Sequence, residues 1–478
     1  MQSLYSPTAV PGLQVLAPAQ IEEILQAAFL ILERTGAQVN HSEMLARLKK
    51  AGAEVEGERV YAPRHLIQNA LAQAPKGLMI YDQNGTPALH LWGRKSFFGT
   101  STASPKTRDA LTGEIHDTRL VDLEMGARVA DRLEHIDFAM PFGSAQDWPT
   151  PLGEAWEVLA MLKHTKKPLV FCPYSPKGVE TVLEIAGRVA GGAEALRRRP
   201  FIIAYPEPIS PLTWPDHIVD FMTLCAERHC PQLVTGAQMM SMTAPVTMAG
   251  VLAQGTAEAL FSNFIVQTVR PGAPVFMAAI PCSVNSRNGL VSMAGPEFQL
   301  AISAQAEVAR WVGLPTWGCA GVSDSHILDA QAGAESGLTI LIQALAGLNL
   351  IHDVGYLGTG MQCSAAMMLF GNEVIGFTKR ILRGLTVDEN FLATEIIHQA
   401  GPGGNFLTSK HTVRNLRSEI FTNELFHKIG YDQWRDQGNR SCQEKADDQV
   451  RAILEKPPAP TLTADQVKML EDLINARS

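Results

Sequence analysis

Two short stretches carry the residue types best suited to chemistry. Tyr205-Pro206-Glu207-Pro208 sets an aromatic ring beside a carboxylate, flanked by prolines. A cation held there would gain charge pairing from Glu207 and cation–π attraction from Tyr205. The same carboxylate could equally be a solvated loop residue. In the second stretch, His352-Asp353, the imidazole could donate a hydrogen bond to a ligand carboxylate while Asp353 sets its tautomer. Adjacent residues of a strand point to opposite faces, which argues against direct His352–Asp353 contact. A histidine bonded within a buried loop would give the same pattern. Cys282, Cys319 and His352 have the types of a Cys2His zinc site. Their separations fit no local motif, and cysteine is often plain packing. Met239, Met240 and Met242 read as packing too.

Such residues matter only if the chain positions them. Eight apolar runs recur at Ser96–Gly99, Ile136–Met140, Leu169–Cys172, Phe201–Tyr205, Leu233–Gly236, Val275–Ala279, Thr316–Gly321 and Leu350–Asp353. They lie roughly 32 to 42 residues apart, the rhythm of βα units. Helical patterns follow, among them Arg119–Leu133, Lys177–Val189, Pro215–Arg228 and Pro296–Trp311. Pro215 and Pro296 suit a first helical turn. Eight repeats favour a closed TIM (β/α)8 barrel of the α/β class over an open sheet. Residues 93–385 are assigned to the barrel, 1–92 to a mainly helical N-terminal extension and 386–478 to C-terminal helices. Asp82 to Gly85 reads as a hairpin turn and Asp109 to Gly113 as a tight turn in the first βα connection.

In a barrel of this kind, residues just past the strand ends face the ligand. Those residues are Phe98, Thr100, Thr102, Phe142, Ser144, Tyr174, Tyr205, Glu207, Gln238, Cys282, Ser323, Asp324, Ser325, His352, Asp353 and Tyr356. The set is aromatic, hydroxylic and acidic. It has no HxH for a metal amidohydrolase, no strand-end lysine for a Schiff base, and no CxxxCxxC for an iron–sulfur cluster. GxxxxGK[ST] and GxGxxG are also missing. A net charge of -8 gives no footprint for nucleic acid. Arg197 to Arg199 reads as a solvated run. No segment looks like a signal peptide or a membrane span, and seven scattered cysteines fit a reducing cytoplasm.

Several segments together resemble the trimethylamine methyltransferase family: Tyr205 to Trp214 (YPEPISPLTW), Thr243 to Gly250 (TAPVTMAG), Gly295-Pro296-Glu297, Ser323 to Gly333 (SDSHILDAQAG) and Asn349 to Gly355 (NLIHDVG). The resemblance implies a TIM barrel that moves a methyl group from an amine to the cobalt of a partner corrinoid protein. The trimethylamine enzymes of that family carry pyrrolysine, which this chain lacks. It is therefore similar to the pyrrolysine-free branch, which implies a quaternary amine such as glycine betaine as substrate. No cofactor would be tightly bound, because the corrinoid travels on the partner. On this reading Phe98, Tyr205, Glu207 and Tyr356 would hold the cation, and Gln238, Ser323 and His352 a betaine carboxylate. Asp329 would cap the helix after the 323–329 loop. The rival functions are a zinc-dependent methyltransferase using Cys282, Cys319 and His352, and a non-catalytic osmolyte sensor. Whether copies of the chain form a homo-oligomer is left open.

Overall fold

The apolar runs that alternate with helices meet one another side by side in space. The computed structural model describes residues 11–147, 152–458 and 460–478. Gly99, in the strand Phe97–Thr100, bridges Phe138, and Ala139 bridges Leu169. Leu169–Phe171 pairs with Ile202–Ala204. Ala204 bridges Gln232, Gln232 bridges Val275, and Met277 bridges Thr316. Trp317–Cys319 pairs with Leu350–Val354, which returns to Phe97–Thr100. Every one of these contacts is parallel, so eight segments close into a ring without an edge. This is the expected TIM-like barrel.

The regular strands are shorter than the apolar runs, and proline is the reason at several of them. Pro168, Pro231, Pro274 and Pro315 stand at the strand starts. Lacking an N–H, each contributes only its carbonyl to the ladder. Those carbonyls accept from Ala139, Ala204, Gln232 and Met277. The expectation at 233–236 departs most from the structure. There the ladder contact falls on Gln232, and a regular strand forms only at Ala237–Met239, beside Ile280–Val284.

Return helices form at Leu120–Arg132, Pro176–Ala190, Asp216–Glu227 and Pro296–Trp311, close to their expected bounds. Pro296 opens its helix, whereas Pro215 is the cap residue one step outside. Asp329 does cap its helix, accepting from the Ala332 amide. The helix Met248–Val269 is buried on almost every side, so its apolar residues show no face. Its outer surface is covered by the helices Pro18–Arg34, Ser42–Lys50 and Arg64–Gln73.

The N-terminal segment is less helical than expected. Ala37–Val39, Arg59–Tyr61 and Glu54–Glu56 form a small sheet, extended by Thr213–Trp214 from the loop after the fourth barrel strand. Strands of two or three residues are too short to leave a period-two pattern in a sequence. A hairpin, Leu78–Tyr81 with Pro87–Leu91, packs its apolar residues into the barrel core. It is tied by Tyr81 to Pro200 and by Gln83 to Lys166, residues that precede barrel strands. It therefore caps the N-terminal end of the barrel and leaves the mouth at the strand C-termini.

At the other end of the chain, the helices between 389 and 436 carry no buried residue. Cys442–Glu455 packs back on Leu120–Arg132, and Ala464–Arg477 on Gly153–Leu162. Among the described residues no helix is long and apolar enough to cross a membrane.

Candidate active site

Alternation along the late strands decides which side chains reach the barrel interior. A Cβ on Gly318 would meet Gln343 of the covering helix Ala330–Ala346 and Leu348 just beyond it, so Gly318 faces outward and its neighbours Trp317 and Cys319 face in. His352 pairs with Cys319 and shares that inner face. The Trp317 and His352 rings stack at 4.2 Å and 31°. Tyr205 meets both, at 5.4 Å and 6.0 Å, and Phe138 lies 6.2 Å from Trp317. Four strands thus supply one aromatic cluster to the barrel interior.

Glu207 stands beside Tyr205 of that cluster. Tyr205 lies close enough to Glu207 for the two to interact electrostatically, and burial raises the Glu207 carboxyl's pKa from its ordinary value. Glu207 nevertheless keeps solvent contact. Its exposure and its place just after the fourth barrel strand put it at the mouth of the barrel. Cys172, Cys282, Asp353 and Glu207 are close enough to perturb one another electrostatically. Tyr356 is buried, near enough to Asp353 and Cys172 to feel their charge. Of the expected cation-side residues, Tyr205, Glu207 and Tyr356 therefore come together. Phe98 does not. It pairs with Ile351, which pairs with the outward-facing Gly318, so Phe98 is buried on the outer side of its strand.

The expected carboxylate side is corrected throughout. Gln238 is fully committed: its amide nitrogen donates to Glu258 at 2.6 Å and to Ser210 at 3.3 Å, and its oxygen accepts from Ile280 at 2.9 Å. The Ser323 hydroxyl donates to Glu335 at 2.6 Å and accepts from the Ser325 amide. Both residues hold loops and have no donor left for a ligand. His352 is on the inner face, but its Nδ1–H donates to the Gly318 carbonyl at 2.8 Å. Burial pushes its pKa down to about 3, so the ring is neutral and Nε2 presents a lone pair. In that state His352 accepts rather than donates.

Asp353 overturns the argument from alternation. It adopts φ +82°, within a register shift between Ile351 and Val354. This left-handed residue turns its carboxyl back towards its neighbour, and Oδ1 lies 3.1 Å from His352 Nε2. With the imidazole neutral, the contact is no ion pair. Cys319 Sγ lies 4.0 Å from the same nitrogen. Cys282, on the strand Ile280–Val284, is near enough to feel the Asp353 charge. Burial raises the Asp353 carboxyl and the Cys319 thiol well above their usual ranges, and the Cys282 thiol to about 12.

Two features escaped the sequence reading. Trp317 lay inside an assigned strand, and taking alternate residues of that run inward would have found it. Glu157 sits with Glu154 in the mostly apolar helix Gly153–Leu162, and carboxylates within such a run are themselves a signal of burial. Glu157 accepts from the Tyr174 hydroxyl at 3.0 Å, and burial lifts its pKa to about 8. The unfolded chain ionises this group from about pH 4.5, whereas the folded chain holds the proton to about pH 8. Stability is lost across that window as pH rises. Glu157→Gln keeps an acceptor for Tyr174 and cannot ionise. Its melting temperature should stay near the parent's at about pH 5 and exceed it increasingly towards pH 8, where a shift of this size amounts to about 4–5 kcal/mol. A pH-independent difference in thermal denaturation would contradict this.

The chain as a whole is similar to known proteins. A family model described as trimethylamine methyltransferase (MTTB) matches residues 3–478. The chain is 28% identical over 427 residues to a glycine betaine methyltransferase of Desulfitobacterium hafniense (strain Y51), covering 89% of each protein. It is 27% identical over 446 residues to the trimethylamine methyltransferase MttB of Desulfitobacterium hafniense (strain DSM 10664 / DCB-2), covering 93% of this chain and 90% of that one. Among solved structures, the Methanosarcina barkeri monomethylamine methyltransferase MtmB superposes with a TM-score of 0.52 at 10% identity, over 95% of this chain and 87% of that one. That last likeness concerns the fold alone. A sequence match over nearly the whole length is decisive for descent: the chain belongs to the trimethylamine methyltransferase family.

Proposed function

We propose that this chain removes a methyl group from a quaternary amine of the betaine type and delivers it to a corrinoid protein. The observation that carries the reading is the Tyr205–Glu207 pair beside the Trp317–His352 stack. A quaternary ammonium has no N–H to donate, so it is recognised by aromatic faces and a nearby negative charge. The mouth offers both. Membership of the family and the likeness to a glycine betaine methyltransferase support the same substrate class.

The chemistry asks little of acid–base groups. A quaternary amine departs as a neutral tertiary amine, so no leaving-group proton is required. The reduced corrinoid, when presented by its partner, supplies the nucleophile. What the protein contributes is placement: Tyr205 and Glu207 hold the nitrogen, the aromatic cluster excludes water, and one methyl is left directed towards the open mouth.

The test is an anaerobic incubation of the full chain with glycine betaine and reduced cobalamin, free or on a corrinoid protein. Dimethylglycine should form only when the corrinoid is present. The absence of any demethylated product across a panel of quaternary amines would defeat the proposal. Glu207→Gln should weaken substrate binding by about 1–2 kcal/mol in calorimetry while the fold is retained. Affinity in the parent should also increase with pH as Glu207 ionises, and this dependence should vanish in the variant.

A further inference from the structure

We infer that Cys319, His352 and Asp353 form a binding site for a divalent metal ion, of the borderline-soft kind that zinc represents. One sulfur, one imidazole nitrogen and one carboxylate oxygen from these buried residues lie within 4.8 Å of one another. A tetrahedral zinc ion with ordinary bond lengths would place its sulfur and nitrogen donors about 3.6 Å apart, and its nitrogen and oxygen donors about 3.4 Å apart. The observed separations are 4.0 Å for Cys319 Sγ to His352 Nε2 and 3.1 Å for His352 Nε2 to Asp353 Oδ1. The donor atoms are therefore already spaced around a point that an ion could occupy.

Three independent features point the same way. The Nδ1–H of His352 is anchored to the Gly318 carbonyl, which fixes the tautomer and aims the Nε2 lone pair at the cluster. A backbone carbonyl on the far nitrogen is the usual support of a metal-binding histidine. Next, both carboxyl oxygens of Asp353 are buried without a hydrogen-bond partner of sound geometry. Such a group is strongly destabilising unless a cation or donor meets it. Finally, Asp353 is held at φ +82°, a conformation disfavoured for a residue with a side chain. The strained turn is what brings its carboxyl to the histidine instead of to the opposite face of the strand.

The donor set of one thiolate, one imidazole and one carboxylate suits zinc better than magnesium or calcium, which prefer oxygen alone. Three protein ligands leave a fourth position on an ion in the barrel interior, the arrangement of a zinc site that accepts an exchangeable ligand. It differs from the trio suggested by the sequence in replacing Cys282 with Asp353. The inference is independent of methyl transfer, because it concerns metal binding by the resting chain.

The experiment uses the full chain, freed of any affinity tag and stripped with chelator. Zn²⁺ alone should bind at one equivalent, measured by elemental analysis after gel filtration, and should raise the melting temperature. Co²⁺ alone should produce the near-ultraviolet absorbance of a thiolate–cobalt bond. Cys319→Ser should abolish that band, and both Cys319→Ser and Asp353→Asn should weaken Zn²⁺ about 100-fold or more. Circular dichroism of the two variants verifies folding, and Asp353→Asn keeps the side-chain shape should the serine variant misfold. Folded parent protein that retains no zinc and shows no cobalt–thiolate band would overturn the proposal. Equal metal uptake by the parent and both folded variants would overturn it too.

Discussion

Glu258→Ala should lower stability by about 3–5 kcal/mol, the range for removing one member of a satisfied buried polar network. Glu258 lies in the middle of the buried helix Met248–Val269, and its carboxylate is a hub. It accepts from Ser210 Oγ at 2.7 Å, Leu212 N at 3.0 Å, Gln238 Nε2 at 2.6 Å and Gln254 Nε2 at 2.9 Å. Alanine would leave four donors facing a cavity that cannot accept from them. Glu258→Gln should fall between, because its oxygen still accepts while its amide confronts donors with a further donor. Chemical denaturation of the three proteins checks the order. A loss below about 1 kcal/mol for alanine would show that water replaces the carboxylate without difficulty. The functional consequence lies in the loop from Pro208 to Trp214, which two of these bonds hold next to Glu207.

Gly99→Ala should cost about 3 kcal/mol and blunt substrate binding together with it. A Cβ at this position would stand 2.2–2.5 Å from three atoms of the Phe138 ring. Phe138 is fully buried and touches Trp317, so it has no free direction in which to retreat. The backbone cannot yield either, since Gly99 bridges the second strand and belongs to the paired first strand. The ring must be displaced into the aromatic cluster of the barrel interior. Denaturant midpoints and betaine calorimetry should fall in step. A variant of unchanged stability would mean that the packing around Phe138 adapts at little cost.

The barrel was legible because its signal is repeated. Each apolar run was ambiguous alone, but eight in succession, alternating with helical periods, admit few other folds. Local chemistry was legible where one residue suffices, as with the Asp329 cap and the Pro296 helix start. The site was legible on one side only. Tyr205 and Glu207 lie so close in the chain that their proximity is almost a property of the sequence. Gln238 and Ser323 were misread because their partners, Glu258 and Glu335, come from later helices that sequence spacing does not bring to mind. The His352–Asp353 contact was invisible for a different reason. Rules of alternation assume extended backbone, and a single residue at positive φ suspends them.

The small sheet at the N-terminus has a consequence for how the molecule opens. Ala37–Val39 lies parallel to Thr213–Trp214, with the amides of Gln38 and Asn40 donating to the carbonyls of Leu212 and Trp214. The segment before the barrel is therefore sewn to the very loop that begins at Glu207. In hydrogen exchange, those amides can be released only when the N-terminal segment and the loop part company. Local opening at the mouth and detachment of the first helices are then one event, a cooperative unit that spans two stretches of chain far apart in sequence.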